Sequence, residues 1–234
     1  LQEWAQSKLP YPVIVENANR ALALAESQYE INTEKTVLCV NMGHGIGAAM
    51  VQAGTLYYGS SGTSGEIGHI TVNKDGTLCA CGNSGCLEAM ASGDAIAQQA
   101  RDAIQSGIPT ILTDMQKKSG AAVDAKAVFD AAAKEDHVAL SIVEKAADYI
   151  GIGLAMAINI LDPDQIVLCG GLTKNGPAFI ERITDSMQRR RMRQAGRHVS
   201  IEVGQKGDYA TAIGAAKIIP YNGWRVPKLQ HYYY

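Results

Sequence analysis

GHITVNKDGTLCACGNSGCLE, residues 68–88, gathers three of the chain's five cysteines into eight positions. A histidine stands ten positions ahead of the first cysteine and a glutamate two behind the last. His69, Cys79, Cys81 and Cys86 form H-x9-C-x-C-x4-C, a Cys3His donor set of the kind tetrahedral zinc prefers. Gly76, Gly82 and Gly85 let the intervening backbone wrap around one ion. Four protein donors leave no open position for an activated water, so the expected zinc is structural. A disulfide with a spare thiol, or three unrelated cysteines, are the alternatives, and a reducing compartment disfavours the first.

Outward from this loop, 234 residues suffice for a full hydrophobic core, as one large domain or two small ones. A net charge of −2 argues against a chain built as a whole to coat nucleic acid or an anionic membrane. No apolar run approaches the roughly 18 residues of a membrane span. The opening LQEWAQSKLPYPVIVEN has no initiator Met and no basic-then-apolar pattern, and it begins in mid-pattern. A piece of a longer protein is therefore expected, with cytoplasm as the compartment. Cys39 and Cys169, inside TVLCV and IVLCG, read as small buried hydrophobes.

Pro12–Val15 reads as a short strand and Asn17–Glu30 as an Ala- and Leu-rich helix. KTVLCVNM is a continuous apolar strand, the kind buried on both faces. GHGIGAAMVQAGTLYYG follows as a glycine-punctuated hairpin, and loop composition dominates from Gly59 to Gly85. Helical patterns then cover EAMASGDAIAQQARDAI, AKAVFDAAAK and the long stretch from His137, which Asp162–Pro163–Asp164 ends. QIVLCGG, a helix over residues 177–192, the strand HVSIEV and the helix YATAIGAAKII complete the chain. Hairpin strands followed by strands alternating with helices predict an α/β fold with a mixed sheet.

SGEIGH followed by CACGNSGCLEAMAS resembles the signature of the ROK family of bacterial sugar kinases and sugar-responsive repressors. PVIVENANRALALAE resembles its sugar-contacting segment, VNMGHGIGAAMVQAGTLYYGSSG its second phosphate-loop hairpin, DPDQIVLCGG the turn beside its adenosine pocket, and DYATAIGAA its closing helix. The resemblance runs from Pro12 to Ile219 and implies an actin-like, ribonuclease-H-like sugar kinase fold whose first half-lobe is absent from this chain. It divides the chain into residues 1–30, the end of an N-terminal lobe and hinge helix, residues 31–217, a C-terminal lobe with its zinc loop at 69–86, and a tail at 218–234.

By the same resemblance Asn17, Glu66, His69 and Glu88 contact a sugar. Carboxylates and amides satisfy vicinal hydroxyls in pairs. His69 would bind zinc through one ring nitrogen and the sugar through the other. The zinc loop is then a bracket that aims His69 and Glu88 at one ligand. The resemblance implies that Gly43, Gly45, Gly47, Gly170 and Gly171 are remnants of nucleotide loops, although glycines at a β-turn need no ligand. Two positions depart from the kinase pattern. Ala18 stands where kinases carry the aspartate that accepts the sugar hydroxyl's proton, a loss that typically costs on the order of 10²–10⁴ in rate. Glu16, two positions away, would share a face with position 18 if the strand continues, but a base relocated there would differ in reach and direction. His44 replaces a threonine in the phosphate turn.

The arginines of QRRRMRQAGR (Arg189, Arg190, Arg191, Arg193, Arg197) read as a solvated helix end rather than a nucleic-acid patch. The first reading is thus the effector-sensing and dimerising part of a ROK-type repressor. It would bind a sugar or sugar phosphate, assemble as a homodimer or tetramer through the apolar faces of residues 125–161, and reach DNA through a domain outside this chain, with no membrane partner. The alternative is an ATP- and Mg²⁺-dependent hexose kinase with Ala18 at the base position.

Overall fold

The computed structural model describes residues 1–27, 34–195 and 198–221. Helix α1 (Gln2–Gln6) is followed by an extended segment and α2 (Ala18–Glu26). Strands β1 (Thr36–Met42), β2 (Ile46–Gln52) and β3 (Thr55–Leu56) come next, then α3 (Leu87–Ala91), α4 (Gly93–Gln105), α5 (Leu112–Ser119), α6 (Ala125–Ala132) and α7 (His137–Leu161). The chain closes with β4 (Gln165–Cys169), α8 (Pro177–Arg190), β5 (Ser200–Val203) and α9 (Ala210–Tyr221).

The strands form one mixed sheet in the order β3-β2-β1-β4-β5. β1 pairs antiparallel with β2 and parallel with β4, and β4 pairs parallel with β5. Because strand side chains alternate, β1 feeds two cores. Leu38, Val40 and Met42 join Ile166 and Leu168 under α3, α4, α7 and α8. Val37 and Cys39 join Val167 and Cys169 under α2 and α9. Both cysteines are buried as expected, and burial pushes their thiols up, Cys169 to about 12.

Helices α2 and α9 cross closely enough that a Cβ on Gly214 would lie 1.6 Å from the Ala21 carbonyl oxygen, so only glycine fits there. The long helix α7 is capped by the Asp136 side chain, which accepts from Ala139 N–H. It ends where Asp162 turns left-handed (φ 42°) ahead of Pro163, as the sequence foretells.

Three expectations change. Pro12–Val15 pairs with no strand among the described residues; instead Val13 N–H donates to Gln6 and Val15 N–H to Gln2, both on α1. The helix begun at Asn17 ends at Glu26, and the stretch expected to carry it on to Glu30 passes into residues 28–33, outside the described set. Helix α5 is an addition to the helices expected, because Leu112 is its sole fully buried residue and leaves no apolar period to read. Arg197 and residues 222–234 of the tail also lie outside the described residues. No described helix is long and apolar enough to cross a membrane.

Candidate metal centre and polar cluster

The segment 70–86 folds as a hydrogen-bonded knuckle. Thr71 bridges to Cys86 and Leu78 to Ser84, while Cys79 N–H donates to Asn83 O at 2.7 Å. Gly85 sits in the left-handed region (φ 69°), and a Cβ there would strike Asn73 O at 1.6 Å. The knuckle gathers the four expected donors so that their ligand atoms lie within 4.8 Å of one another. His69 Nδ1 faces Cys79 Sγ at 3.6 Å, and Cys81 Sγ stands 3.6 Å from Cys86 Sγ. Two thiolates bound about 2.3 Å from one tetrahedral zinc stand about 3.8 Å apart, so the spacing suits a shared ion. A disulfide would need about 2.05 Å, and all three cysteines are free thiols.

Charge points the same way. A hydrogen bond from the Asn83 backbone and another from Cys79 bring the exposed Cys81 thiol down to about 7. Burial, and then Cys81, push Cys86 up to about 12. Gathering three thiolates in so small a volume would cost mutual repulsion, which a divalent cation would relieve. The residues fit zinc. His69, Cys79, Cys81 and Cys86 would hold it, and the ion would supply charge neutralisation and a fixed direction for the imidazole. His69 Nε2 is left pointing away from the thiols, 3.9 Å from Glu66 Oε2.

The β1–β2 hairpin organises the rest. Glu88, on α3 two residues after the last cysteine, accepts from Ile46 N–H at 2.9 Å. Its Oε2 is seated so close to Gly45 that a Cβ there would lie 2.3 Å away. Two residues on, Gly47 gives the same room to Asn19, whose Oδ1 accepts from Asn41 Nδ2 at 3.0 Å. Gly65, at the end of the next loop, accepts from Ala48 N–H and so sets Glu66 beside β2. Asn17 is the N-cap of α2; its Oδ1 is taken by Asn19 N–H at 2.8 Å, leaving its amide NH₂ for a ligand. Glu66, His69 and Glu88 thus flank one hairpin, with the α2 N-terminus on the same hairpin through Asn19.

Ala18 is the first residue of α2 and brings only a methyl group. Glu16, the candidate relocated base, is fully engaged. Its Oε1 accepts from Asn17 N–H and Arg20 Nε, both at 2.7 Å, and its Oε2 from Tyr58 Oη at 2.9 Å. His44 turns its Nδ1 to Asp94 Oδ1 at 2.8 Å, and the bond to Asp94 raises its pKa. The hairpin tip is docked on α4 by Gly93 N–H to Gly43 O at 2.8 Å. Gly170 lies against the end of β1, where a Cβ would meet Met42 O at 2.4 Å, and Gly171 follows with open space around it. The glycine turns after β1 and β4 are therefore adjacent, at the carboxyl ends of parallel strands where α/β sheets bind ligands.

An apolar groove of about 340 Å³ between β2 and the end of α7 has Glu66 among its lining residues. Its other walls include Leu38, Met156 and Ile160, which offer nothing to hydroxyls. Arg189, Arg190 and Arg191 are engaged with Asp148, Ser186 and Ala195, in keeping with a solvated helix end. Sequence reasoning missed Asn19, Asn41, Tyr58 and Arg20, whose contacts Asn19–Asn41, Tyr58–Glu16 and Arg20–Gly62 span 22 to 42 residues and carry no local motif.

The ROK family profile matches residues 1–221. Glucokinase from Halalkalibacterium halodurans is 32% identical over 221 residues, covering 94% of this chain and 67% of that protein. A putative xylose repressor from Caldicellulosiruptor sp. is 29% identical over 220 residues, covering 94% of this chain and 55% of the repressor. Among solved structures, a ROK family glucokinase from Streptomyces griseus in complex with glucose and AMPPNP superimposes with a TM-score of 0.80 at 29% identity, covering 93% of this chain and 71% of that one. The chain thus spans about two thirds of these kinases and about half of the repressor.

Proposed function

The chain belongs to the ROK family, and from that premise we propose that it binds a hexose or hexose derivative through Asn17, Glu66, His69 and Glu88. The supporting observation is the seating of Glu88: one carboxylate two residues from the zinc knuckle, held by Ile46 N–H in a space that only glycine at position 45 leaves open. A zinc-braced His69 and a backbone-braced Glu88 are two preorganised partners for vicinal hydroxyls. The actin-like architecture and the zinc itself are part of this reading.

Of the two activities found among the similar proteins, the sugar kinases are favoured by the comparisons, with a glucokinase at the highest identity quoted and another as the structural match. ATP-dependent phosphorylation of a hexose is accordingly the activity proposed, with the paired glycine turns at Gly43–Gly47 and Gly170–Gly171 facing the nucleotide. One specific observation favours the sugar-responsive regulator instead. Position 18 carries no proton acceptor, and Glu16 is committed to Arg20 and Tyr58. Under that second reading DNA is read by a segment outside these residues. A homodimer contact on α7 is supported by the exposure of Met156 and Ile160.

The deciding experiment measures hexose binding by calorimetry and ATP turnover with the same hexoses, for the wild-type chain and Ala18→Asp. Turnover by the wild type supports the kinase. Binding without turnover, with activity appearing in Ala18→Asp, supports the regulator. No binding of any hexose refutes both.

A further inference from the structure

The pair that removes Glu16 from proton chemistry has a position of its own in the site. Arg20 and Glu16 are side chains only 11% and 12% exposed, joined at 2.7 Å across the first turn of α2. Arg20 then reaches 42 residues along the chain, donating through Nη1 to Gly62 O at 2.9 Å, with its guanidinium 4.9 Å from the Tyr58 ring centre. Tyr58 closes the circuit by donating to Glu16. Tyr58 and Gly62 belong to the loop that follows β3. This loop folds back on itself through Ser64 N–H to Tyr58 O and ends, four residues after Gly62, at Glu66. Glu16 immediately precedes Asn17. One buried ion pair therefore grips both the segment bearing Asn17 and the loop bearing Glu66.

We propose that Glu16, Arg20 and Tyr58 are positioning residues that fix Asn17 and Glu66 relative to each other and so set the affinity for the sugar. The proposal rests on the hexose-binding reading above. A guanidinium suits this task better than an ammonium, because its planar fork serves the carboxylate and the Gly62 carbonyl at once while stacking on the tyrosine. The zinc knuckle and Glu88 are anchored separately, by their own hydrogen bonds and Ile46, so the clamp can be weakened without touching them.

The test measures hexose Kd, melting temperature and zinc content for the wild type, Arg20→Gln, Arg20→Lys, Tyr58→Phe and the paired Glu16→Gln/Arg20→Gln. Arg20→Gln is expected to weaken hexose binding at least tenfold, with zinc content unchanged and the protein folded at the assay temperature. Arg20→Lys, which keeps the charge but loses the fork, is expected to recover part of that loss. Tyr58→Phe and the uncharged pair serve if Arg20→Gln does not fold, with a severalfold weakening expected in each. Wild-type affinity in the folded variants overturns the proposal while leaving hexose binding intact. A wild type that binds no hexose overturns both. Loss of affinity in strict proportion to melting temperature, with no rescue by lysine, reduces the clamp to a fold element and also overturns it.

Discussion

Replacing Gly45 by alanine separates the stability of the fold from the geometry of the ligand site. The new Cβ would lie 2.3 Å from Glu88 Oε2, so the carboxylate must swing away and release Ile46 N–H. Position 45 is not among the left-handed residues, so alanine meets no backbone strain there. The obstructing atom is the end of a flexible side chain, which yields cheaply. The folded state loses one hydrogen bond to a charged group, about 1.5–3 kcal/mol, and regains about 0.4–1 kcal/mol through a less mobile unfolded chain. The net destabilisation is about 0.5–2.5 kcal/mol, read as a lowered urea midpoint with an unchanged slope. If the displaced oxygen is a sugar partner, hexose affinity falls by a further interaction of about 1.5–3 kcal/mol, roughly 10- to 150-fold in Kd by calorimetry. Glu88→Gln, which keeps the shape and loses the charge, should fall between wild type and Gly45→Ala. Hexose affinity within twofold of wild type in a folded Gly45→Ala protein would refute the assignment of Glu88 to the site.

Metal analysis is expected to find about one zinc per chain in the wild type and none in Cys86→Ser, which removes a buried donor and should melt at a lower temperature. Because protons compete with zinc for thiolates and imidazole, zinc affinity should fall as pH is lowered, and a chromogenic chelator should strip the wild type faster at pH 5.5 than at pH 8. Asp136→Ala removes the α7 cap, along with bonds to Ile111 N–H and Thr110, and should cost about 1–2 kcal/mol at neutral pH. Burial raises the Asp136 pKa, but hydrogen bonds from Ala139, Ile111 and Thr110 outweigh it and hold the carboxyl below its usual range. That contribution is therefore complete above the ordinary carboxylate pKa and fades as pH falls through the lowered one, so denaturation curves of the two proteins should converge in acid. Gly214→Ala drives a Cβ into the Ala21 backbone and should destabilise by about 3 kcal/mol or more, leaving the α2–α9 pair the first part to lose amide protection.

The elements legible in the sequence are those whose side chains carry a period or a donor count. β1 and β4 stand out because both of their faces are buried, which makes VLCV and IVLC unbroken apolar runs. The four donors of the candidate metal centre stand out because a Cys3His set has few structural rivals. Pro12–Val15 looked like a strand because apolar content alone does not say whether a partner is at hand, and here glutamine side chains of α1 take the ladder's place. The clamp was illegible for a different reason. Glu16 and Arg20 show the i, i+4 spacing of a routine helix-surface pair, and only the fold reveals that Tyr58 and Gly62 cover them. The glycines of the β1–β2 hairpin resemble a phosphate turn in the sequence, whereas in space Gly45 and Gly47 also make room for Glu88 and Asn19.

Three successive residues of α3 and its cap face three different ways. Cys86 turns to the thiol cluster, Leu87 packs against the α7 backbone at Gly153, and Glu88 reaches Ile46. Each residue of a helix advances the azimuth by about 100°, so deleting or inserting one position here would rotate every downstream side chain out of its berth. Neither flank offers slack, because the donor spacing of the knuckle lies directly ahead and only Ser92 separates α3 from α4 behind.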